Sequence, residues 1–365
     1  MSLIEEFNAK ATTRGVPISA HLDITWRCNE RCVHCYLDHD AKGEMTTEEI
    51  KDVIRQLADV GTFFLSVSGG EPLLRRDCFE ILEYARSLRF QTKLKTNAVM
   101  IGPKEAARIK KLGLEKVQIS LYSHRAEVHD AITKLPGSFK RTINAIKLLK
   151  ENHVNVSITN VLMQFNSTHA RAVKQLAKDL DVEFTIDPTI TPMINGDTST
   201  TKLGISLDEL YSVMHDEEFV GNVGEFCDPV STVDDDVLEG YSCSAGHTLA
   251  YISPFGDVFP CVSFPMPCGS VRKQKFSDIW FHSPAFTELR EVHVRDLHTC
   301  SSCSHTAYCS RCPGLAYMEG DMRGPSTSDC QKSYARTGVP SANMLRTGRI
   351  PQAAFTGLVQ ISGMQ

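Results

Sequence analysis

The chain contains 365 residues and carries a formal net charge of −5 at pH 7. This length suits one large domain with a smaller one attached. The slightly acidic balance gives no general attraction to nucleic acid or anionic lipid, which excludes both as expected partners. Because no apolar run is long enough to span a membrane and no signal-peptide pattern opens the chain, we expect a cytoplasmic protein.

The thirteen cysteines are unevenly distributed along the chain. Three lie within residues 28–35, one is Cys78, and the other nine lie within residues 227–330. In a reducing compartment such a cysteine content indicates metal binding rather than disulfide bonding. The distribution predicts two metal-binding regions, whereas the isolated Cys78 is expected to be a small buried apolar residue.

Short β-branched runs alternate with segments of helical apolar spacing in the first part of the chain. The predicted strands are His21–Trp26, Phe63–Ser68, Thr92–Asn97, Lys116–Leu121, Val154–Met163 and Val182–Asp187. The first predicted helix begins after Thr46, where Glu49 completes a capping box. The later predicted helices are Asp77–Leu88, Pro103–Leu112, Ser138–Asn152, Thr168–Leu180 and Ser206–His215. This serial alternation predicts a parallel sheet.

The alternation stops near residue 217, which favours a partial barrel over a full eightfold one. We therefore predict an α/β fold, with a partial (β/α)6 TIM-like barrel over residues 18–217. Beyond it, cysteine, glycine and proline interrupt short segments, as is typical of a small domain stapled by metal. Such a cysteine-rich domain is predicted over residues 218–335, followed by a C-terminal tail over residues 336–365.

The first cysteine motif, CNERCVHC, places Cys28, Cys32 and Cys35 directly after the first predicted strand. Catalytic residues of α/β barrels lie on the loops that leave the C-terminal ends of the strands. Three thiolates at this spacing are able to hold three irons of a cubane cluster and leave the fourth iron open. The motif alone leaves two alternatives: a zinc site completed by His34 or His39, and an incidental group of cysteines.

This motif resembles the CxxxCxxC signature of radical S-adenosylmethionine (SAM) enzymes, whose usual fold is a six-unit partial barrel. The resemblance implies that Cys28, Cys32 and Cys35 hold a [4Fe–4S] cluster whose open iron is chelated by SAM. It further implies that the reduced cluster cleaves SAM to a 5′-deoxyadenosyl radical, which abstracts hydrogen from a substrate.

A second motif, VSGGEPLL, ends the second predicted strand. Gly69 and Gly70 remove side chains where a ligand approaches the backbone, and Glu71 adds a carboxylate beside them. The motif resembles the GGEP motif of the same family, which implies that this loop binds the methionine amino group of SAM. An ordinary turn at a strand end is the alternative.

Polar residues also lie at the ends of the next three predicted strands. Thr96 and Asn97 end the third strand, Ser120 lies at the end of the fourth, and Asn160 lies on the fifth. By the resemblance these positions contact the nucleoside of SAM, and Ser120 is similar to the serine that reaches the ribose. Each of them, like Asn166, is alternatively a cap or turn former.

The C-terminal cysteines follow a longer pattern. The segment CSAGHTLAYISPFGDVFPC spaces Cys243, Gly256 and Cys261 as C-x12-G-x4-C. The pattern continues through CSSCSHTAYCSRC and beyond it with Cys300, Cys303, Cys309, Cys312 and Cys330. This resembles the seven-cysteine SPASM domain of many peptide-modifying radical SAM enzymes, which usually holds two auxiliary iron–sulfur clusters. The chain departs from that pattern in having two residues instead of three between Cys309 and Cys312.

The SPASM resemblance implies a division of ligands between the two auxiliary clusters. The first would be held by Cys243, Cys261 and Cys312, and the second by Cys300, Cys303, Cys309 and Cys330. Cys227 is the first candidate for the fourth ligand of the first cluster and Cys268 the second, with an open site or a non-cysteine ligand as alternatives. A pair of zinc ribbons is the interpretation that spacing alone leaves open.

Together the resemblances predict a radical SAM oxidoreductase. The best-known relatives with a SPASM domain act on peptides or proteins, so a ribosomally made peptide that undergoes crosslinking, thioether formation or oxidation is the expected substrate. Such a substrate would be recognised by the barrel itself or by a separate precursor-recognition protein, and flavodoxin or ferredoxin would supply electrons. Tetrapyrrole maturation in haem or haem d1 synthesis is the alternative, and a zinc- or cluster-binding protein without turnover is a distant one.

The sequence does not assign a catalytic acid or base. Val262 follows Cys261, where relatives that oxidise serine or cysteine have an aspartate. Tyr122, His124 and Asp187 lie at or near strand ends that face the expected cavity and are the remaining candidates.

Overall fold

The structure, a computed structural model, describes residue 6 and residues 10–221 and 233–350. Within these residues nine strands form one sheet in the order β6-β5-β4-β3-β2-β1-β7-β8-β9. The strands are β1 Ser19–Thr25, β2 Phe64–Gly69, β3 Gln91–Thr96, β4 Lys116–Ser120, β5 Val156–Val161, β6 Glu183–Asp187, β7 Leu249–Ile252, β8 Asp257–Phe259 and β9 Gly269–Ser270.

The helices lie between the first six strands and in the C-terminal region. Those of the barrel are α1 Thr47–Asp59, α2 Cys78–Ser87, α3 Pro103–Leu112, α4 Ala126–Thr133, α5 Ser138–Glu151, α6 Ala170–Asp179 and α7 Leu207–Met214. Those that follow are α8 Glu217–Val220, α9 Asp235–Leu238, α10 Phe276–His282, α11 Pro284–Arg290, α12 Pro313–Met318, α13 Thr327–Thr337 and α14 Ala342–Thr347.

Strands β1 to β6 pair with one another in chain order, and every pairing is parallel. Each strand is followed by a helix that covers the outer face of the sheet, as right-handed crossover connections require. The predicted α/β fold, a six-unit partial barrel followed by a cysteine-rich region, is therefore confirmed.

Helix α1 forms for the reasons that its sequence indicates. The hydroxyl of Thr46 accepts a hydrogen bond from the Glu49 amide at 3.2 Å, and the Thr46 amide donates to the Glu49 carboxylate at 2.8 Å. This capping box satisfies amides that the first turn leaves unpaired. The buried face of the helix consists of Ile50, Val53, Ile54 and Leu57. The predicted start and the predicted apolar face of this helix are both confirmed.

Helix α4 and strand β7 are among the elements that the sequence did not predict. Helix α4 is short, and its few apolar positions do not form a visible stripe. Strand β7 is only four residues long and lies in the cysteine-rich region, yet it pairs in parallel with β1, with Ser19 opposite Leu249. The sheet of the barrel thus continues into the C-terminal region. The predicted domain boundaries at residues 217 and 335 stay predictions.

The two faces of the barrel sheet differ in polarity. On β1, Leu22 and Ile24 belong to the hydrophobic core under the helices and are fully buried. Because successive side chains of a strand point to opposite faces, His21 and Asp23 point into the barrel. Charged side chains also line the interior on β3, where Lys93 and Lys95 flank the buried Leu94. The barrel interior is therefore polar.

Candidate functional site

The loop that carries the first three cysteines leaves the C-terminal end of β1 and is fixed to helix α4. The amide of Arg31 donates to the Thr133 carbonyl at 2.9 Å, and the amide of Val33 donates to the Ile132 carbonyl at 3.0 Å. Both bonds hold backbone between the cysteines rather than the cysteines themselves. The side chains of Cys28, Cys32 and Cys35 are partly exposed and close enough to interact electrostatically.

The environment of these thiols is suited to a cation. Burial raises the pKa of Cys28 to about 12 and also raises the pKa of Cys32 and of Cys35. The thiols therefore stay protonated until a metal displaces their protons. The sulfur of Cys28 accepts the amide of Glu30 at 3.4 Å and the side-chain amide of Asn97 at 3.9 Å. Such donors stabilise the charge of cluster-bound sulfur, so the residues present fit an iron–sulfur cluster.

The glycines of the second motif allow two loops to touch. A Cβ atom at Gly70 would lie 2.5 Å from the Arg27 carbonyl oxygen and 2.6 Å from that of Trp26, and Gly69 has a φ of +135°. The amide of Gly70 donates to the Thr25 carbonyl at 2.8 Å. Here the backbone that approaches the glycines is the start of the cysteine loop. The glycines therefore hold this motif against the loop, and their contact with SAM stays a prediction.

Glu71 joins the end of β2 to the end of β3. Its fully buried carboxylate accepts the Thr96 hydroxyl at 2.8 Å, the Asn97 amide at 2.8 Å and the Leu73 amide at 3.1 Å. Burial raises the pKa of Glu71 to about 7, and these hydrogen bonds oppose the rise. The structure thus brings Glu71, Thr96, Asn97 and Cys28 to one place at the mouth of the barrel.

The two remaining predicted SAM contacts lie in different environments. Ser120 lies at the end of β4 on the same face as Gln118, which points into the barrel. Asn160 lies on β5 two residues after Ile158, which is part of the hydrophobic core, so its side chain points to the helix layer. The side-chain oxygen of Asn160 accepts a hydrogen bond from the side-chain amide of Asn166 at 3.4 Å. The buried side-chain nitrogen of Asn160 has no hydrogen-bond partner among the described residues. The structure does not bring Asn160 into the barrel interior with Ser120.

The C-terminal cysteines gather in two groups. Cys243, Cys261 and Cys312 interact electrostatically with one another. Cys300 interacts in the same way with three cysteines that follow it, Cys303, Cys309 and Cys330. A cavity of about 260 Å³ is lined by the four cysteines of the second group together with Arg311 and Ser333. The groups coincide with the predicted division of ligands, and their iron ligation stays a prediction.

Hydrogen-bond donors point at the sulfurs of both groups. The Ala245 amide donates to Cys243 at 3.4 Å and the Leu315 amide donates to Cys312 at 3.5 Å, while the Ser333 hydroxyl donates to Cys309 at 3.4 Å. Burial raises the pKa of Cys261 to about 11 and of Cys300 to about 12. As in the first loop, neutral thiols with donors directed at sulfur form a suitable shell for iron–sulfur clusters.

The fourth ligand of the first auxiliary cluster has two cysteine candidates. Cys227 lies outside the described residues. Cys268 is packed in the hydrophobic core, where its sulfur donates to the Met266 carbonyl at 3.4 Å and Arg290 is the charged group that affects its pKa. Among residues 10–221 and 233–350, no three histidine, cysteine or acidic side chains converge on one point where they would hold a single metal ion.

The candidates for an acid or base differ in their positions. Tyr122 is buried beside the cysteine loop, with its ring 4.8 Å from that of His34. His124 is exposed and its ring lies 5.0 Å from His169. Asp187 is exposed and accepts the Thr189 amide at 2.9 Å, as a turn residue does. Tyr122 is thus the one of the three that contacts the cysteine loop.

Comparison with known proteins supports the motifs. Residues 22–179 match the model of the radical SAM superfamily, and residues 243–313 match the SPASM iron–sulfur cluster-binding domain. The mycofactocin maturase MftC of Mycobacterium tuberculosis is 30% identical over 349 residues, covering 91% of this chain and 87% of the relative. The chain belongs to the radical SAM superfamily.

Two further similarities agree with this assignment. An AdoMet-dependent heme synthase of Methanosarcina barkeri is 28% identical over 320 residues, covering 81% of this radical SAM protein and 90% of the relative. The crystal structure of Streptococcus suis SuiB bound to S-adenosylmethionine shares the fold, with a TM-score of 0.71 at 18% identity, over 90% of this chain and 81% of SuiB.

The protein is therefore a radical SAM enzyme with a SPASM domain, and its cofactors are a [4Fe–4S] cluster, SAM and auxiliary iron–sulfur clusters. When bound, the first cluster and SAM supply a carbon radical that removes a hydrogen atom from the substrate. None of the helices that the structure describes is long and apolar enough to cross a membrane.

Sequence reasoning overlooked the polar residues inside this radical SAM barrel. Asp23 is fully buried and accepts His21 at 3.1 Å and the Tyr251 hydroxyl at 2.9 Å. Lys93 and Lys95 lie across the interior on β3. The signal was present in the strand sequences HLDIT and TKLKT, where charged residues alternate with apolar ones. Barrels usually fill such interior positions with branched apolar side chains.

Proposed function

We propose that this enzyme modifies a ribosomally made peptide by crosslinking, thioether formation or oxidation. The observation that carries the proposal is the similarity to mycofactocin maturase, which extends through both the barrel and the cysteine-rich region. A second observation agrees with it, because SuiB, which shares the fold, has been crystallised with its precursor peptide SuiA.

The residues have distinct roles in this proposal. Cys28, Cys32 and Cys35 hold the cluster that binds SAM, and the loop of Gly69, Gly70 and Glu71 binds the amino group of SAM. Thr96, Asn97 and Ser120 contact its nucleoside, and Asn160 is a further candidate for this contact. Because Glu71 already accepts three donors, its carboxylate fixes the shape of this end of the barrel. Asn160 requires a rotation of its side chain, or contact through its backbone, to take part.

In this proposal the two groups of C-terminal cysteines bind the two auxiliary clusters. We assign Cys243, Cys261 and Cys312 to the first and Cys300, Cys303, Cys309 and Cys330 to the second, with Cys227 as the further ligand of the first. Cys268 is a poor candidate because its side chain is packed in the core. The boundaries at residues 217 and 335 complete this assignment of domains.

The proposed reaction also requires partners. A small iron–sulfur or flavin protein, such as ferredoxin or flavodoxin, delivers electrons to the first cluster in the cytoplasm. A precursor peptide is recognised by the barrel or by a separate recognition protein. Pull-down from an extract with the reconstituted enzyme, with and without the precursor, tests both partners by mass spectrometry.

The experiment that tests the function uses anaerobically reconstituted enzyme, dithionite and SAM. It is incubated with short peptides encoded next to its gene, and products are separated by liquid chromatography and measured by mass spectrometry. We expect a peptide that loses two hydrogens, one transferred as an atom to give 5′-deoxyadenosine and the other released as a proton, whose electron an auxiliary iron–sulfur cluster would accept. Formation of 5′-deoxyadenosine with every such peptide unchanged would contradict the proposal.

Tetrapyrrole modification is the second candidate, favoured by the similarity to the heme synthase of Methanosarcina barkeri. The same assay with porphyrin precursors in place of peptides tests it. A change in porphyrin mass with no change in any peptide would favour this candidate over the first.

A further inference from the structure

A cavity of about 440 Å³ with charged side chains in its lining lies inside the barrel, toward the N-terminal ends of its strands. Its volume falls within the range of roughly 300–1,000 Å³ that is typical of ligand pockets. It is lined by side chains of β1, β2, β3 and β7, and by Cys261. Because β8 runs antiparallel to β7, Cys261 lies near the N-terminal ends of the barrel strands, whereas Cys28 follows the C-terminal end of β1. A ligand in this cavity therefore contacts the side of the barrel that carries Cys261, and the first cysteine loop lies beyond the other end of the strands.

Two lysines of this cavity have no acceptor of their own. Neither Lys93 nor Lys95 forms a hydrogen bond or ion pair with a residue of the described ranges. Their neighbour on the next strand contrasts with them, because Lys116 is paired with Glu183 at 2.6 Å. An ammonium group held away from water without an acceptor is unfavourable, and an anion bound beside it removes this penalty.

The charged groups around Lys95 do not satisfy its ammonium. Asp23 is the carboxylate in the barrel interior whose charge acts on it, and both oxygens of Asp23 already accept from His21 and Tyr251. Burial lowers the pKa of Lys95, and the charge of Asp23 opposes that shift. Burial likewise lowers the pKa of His21, so this ring adds no positive charge at neutral pH.

A carboxylate and a thiol also border the same cavity. Glu115 lines it on the side of Lys93, where the exposed Gln91 marks its outer part, and it forms no ion pair with a residue that the structure describes. Cys261 interacts electrostatically with Lys95 from the opposite end. Cys261, a predicted ligand of the first auxiliary cluster, is therefore the competing partner of this lysine.

We propose that Lys95, supported by Lys93, binds a carboxylate group of the substrate inside the barrel. This inference rests on the proposed function and deepens it, since a peptide offers carboxylates at its C-terminus and on its acidic side chains. Two ammonium donors on alternate residues of one strand reach the same ligand from one wall of the cavity. Tyr251 lines the same cavity on β7, with β2 and β1 between it and the lysines in the sheet.

The experiment measures binding without turnover. Reconstituted enzyme with SAM and no reductant is titrated by isothermal calorimetry with two pairs of ligands. The first pair is acetyl-Ala-Ala and its C-terminal amide, and the second is acetyl-Glu-amide and acetyl-Gln-amide. Binding of the free acid of the first pair identifies a terminal carboxylate as the ligand, and binding of the glutamate of the second identifies a side-chain carboxylate.

We expect at least one acid to bind more tightly than its amide. The Lys95→Met variant should bind that acid with an affinity lower by about tenfold or more, because a charged hydrogen bond is lost. Lys95→Arg should retain part of the affinity, which shows that the barrel folds around a substituted residue. Lys147→Met, at an exposed position on α5, is the matched control and should bind as the wild type does.

Equal binding of acid and amide in both pairs, or unchanged affinity in Lys95→Met, would overturn the proposal. A shift of the auxiliary-cluster reduction potential in Lys95→Met with unchanged affinity for the acid would assign the lysine to the cluster and would also overturn it. Because no reductant is present, loss of peptide modification in the earlier assay does not affect this result, so the two proposals fail separately.

Discussion

The two cysteine regions of this enzyme are built in opposite ways. The first takes its three cysteines from one loop that is hydrogen-bonded to helix α4 and packed against the glycines of the second motif. The second collects cysteines from residues 243–330, where the longest helix is Thr327–Thr337 and strands are only two to four residues long. The barrel therefore fixes the geometry of the first region, whereas only the part of the second region around β7 is attached to the barrel sheet.

This difference has an energetic consequence. A small region with little regular structure has few internal contacts to offset the entropy of ordering its chain, and metal binding then supplies part of its folding free energy. A loop held by a barrel keeps its fold without free energy from metal binding. Metal is thus expected to be functional in the first region and both functional and structural in the second.

The largest effect that separates the regions is expected from Cys28, Cys32 and Cys35 replaced together by alanine. The variant should lose 5′-deoxyadenosine formation entirely and about four irons per chain, with a melting temperature close to that of the wild type. Iron analysis, product chromatography and calorimetry check this. Cys78→Ala, at a position 1% exposed in the core, is the control and should keep its iron and its SAM cleavage while losing stability. Full iron content in the triple variant would show that these cysteines are not ligands.

The next largest effect is expected from Cys300→Ala combined with Cys330→Ala. Loss of about four irons should be accompanied by rapid hydrogen exchange over residues 300–337, while the amides of β1 to β6 keep their protection. Hydrogen exchange with mass spectrometry measures both regions in one sample. Equal loosening of barrel and C-terminal region would show that the two do not differ in their dependence on metal.

Glu71→Gln tests how rigidly the barrel holds the first region. Its carboxylate accepts three buried donors, so we expect a loss of about 1–3 kcal/mol in unfolding free energy. Because the folded pKa is raised to about 7, the folded state binds the proton more tightly than the unfolded state does. The stability of the metal-free wild type should therefore fall as pH rises from about 4.5 to 7. Urea titrations should show this slope in the wild type and in the control Glu151→Gln, and a flatter slope in Glu71→Gln.

The smallest effect is expected at a surface contact between the regions. Arg272 donates to the Glu49 carboxylate at 3.0 Å and to the Gly43 carbonyl at 2.7 Å, and its hydrogen bond lowers the pKa of Glu49. A lowered pKa adds stability above the unfolded pKa that is lost as pH falls. Both side chains are well exposed, so a double-mutant cycle of Arg272→Ala and Glu49→Gln should give less than about 1 kcal/mol. A coupling of several kcal/mol would mean that the regions are joined more tightly than their surface contact indicates.

The sequence was sufficient for the barrel and for the grouping of functional motifs. Strand and helix periodicity located β1 to β6, because each strand is followed by a long amphipathic helix with a clear start, as at Thr46. The cysteine and glycine motifs lie at strand ends, so their convergence followed from the parallel topology alone. Strand β7 escaped prediction because four residues carry too little periodicity to be distinguished from a turn.

The interior of the site was harder to predict. Which face of a strand points into the barrel depends on closure of the sheet, so the alternation of His21 and Asp23 with apolar residues did not by itself indicate a cavity. The direction of Asn160 depends in the same way on register with β4. The contacts of Glu71 are between residues far apart in the chain, and no local pattern indicates that its carboxylate faces Thr96 rather than a ligand.

The pairing of β7 with β1 bears on how the barrel is produced and handled in the laboratory. A protein ended at residue 217 would contain every barrel strand but would leave one side of β1 with unpaired amides and carbonyls. Such an edge is a template for strands of other molecules, so the shortened barrel is expected to self-associate even when all its internal contacts are kept. By pairing β7 with β1, the C-terminal region thus covers this edge and protects the barrel from self-association.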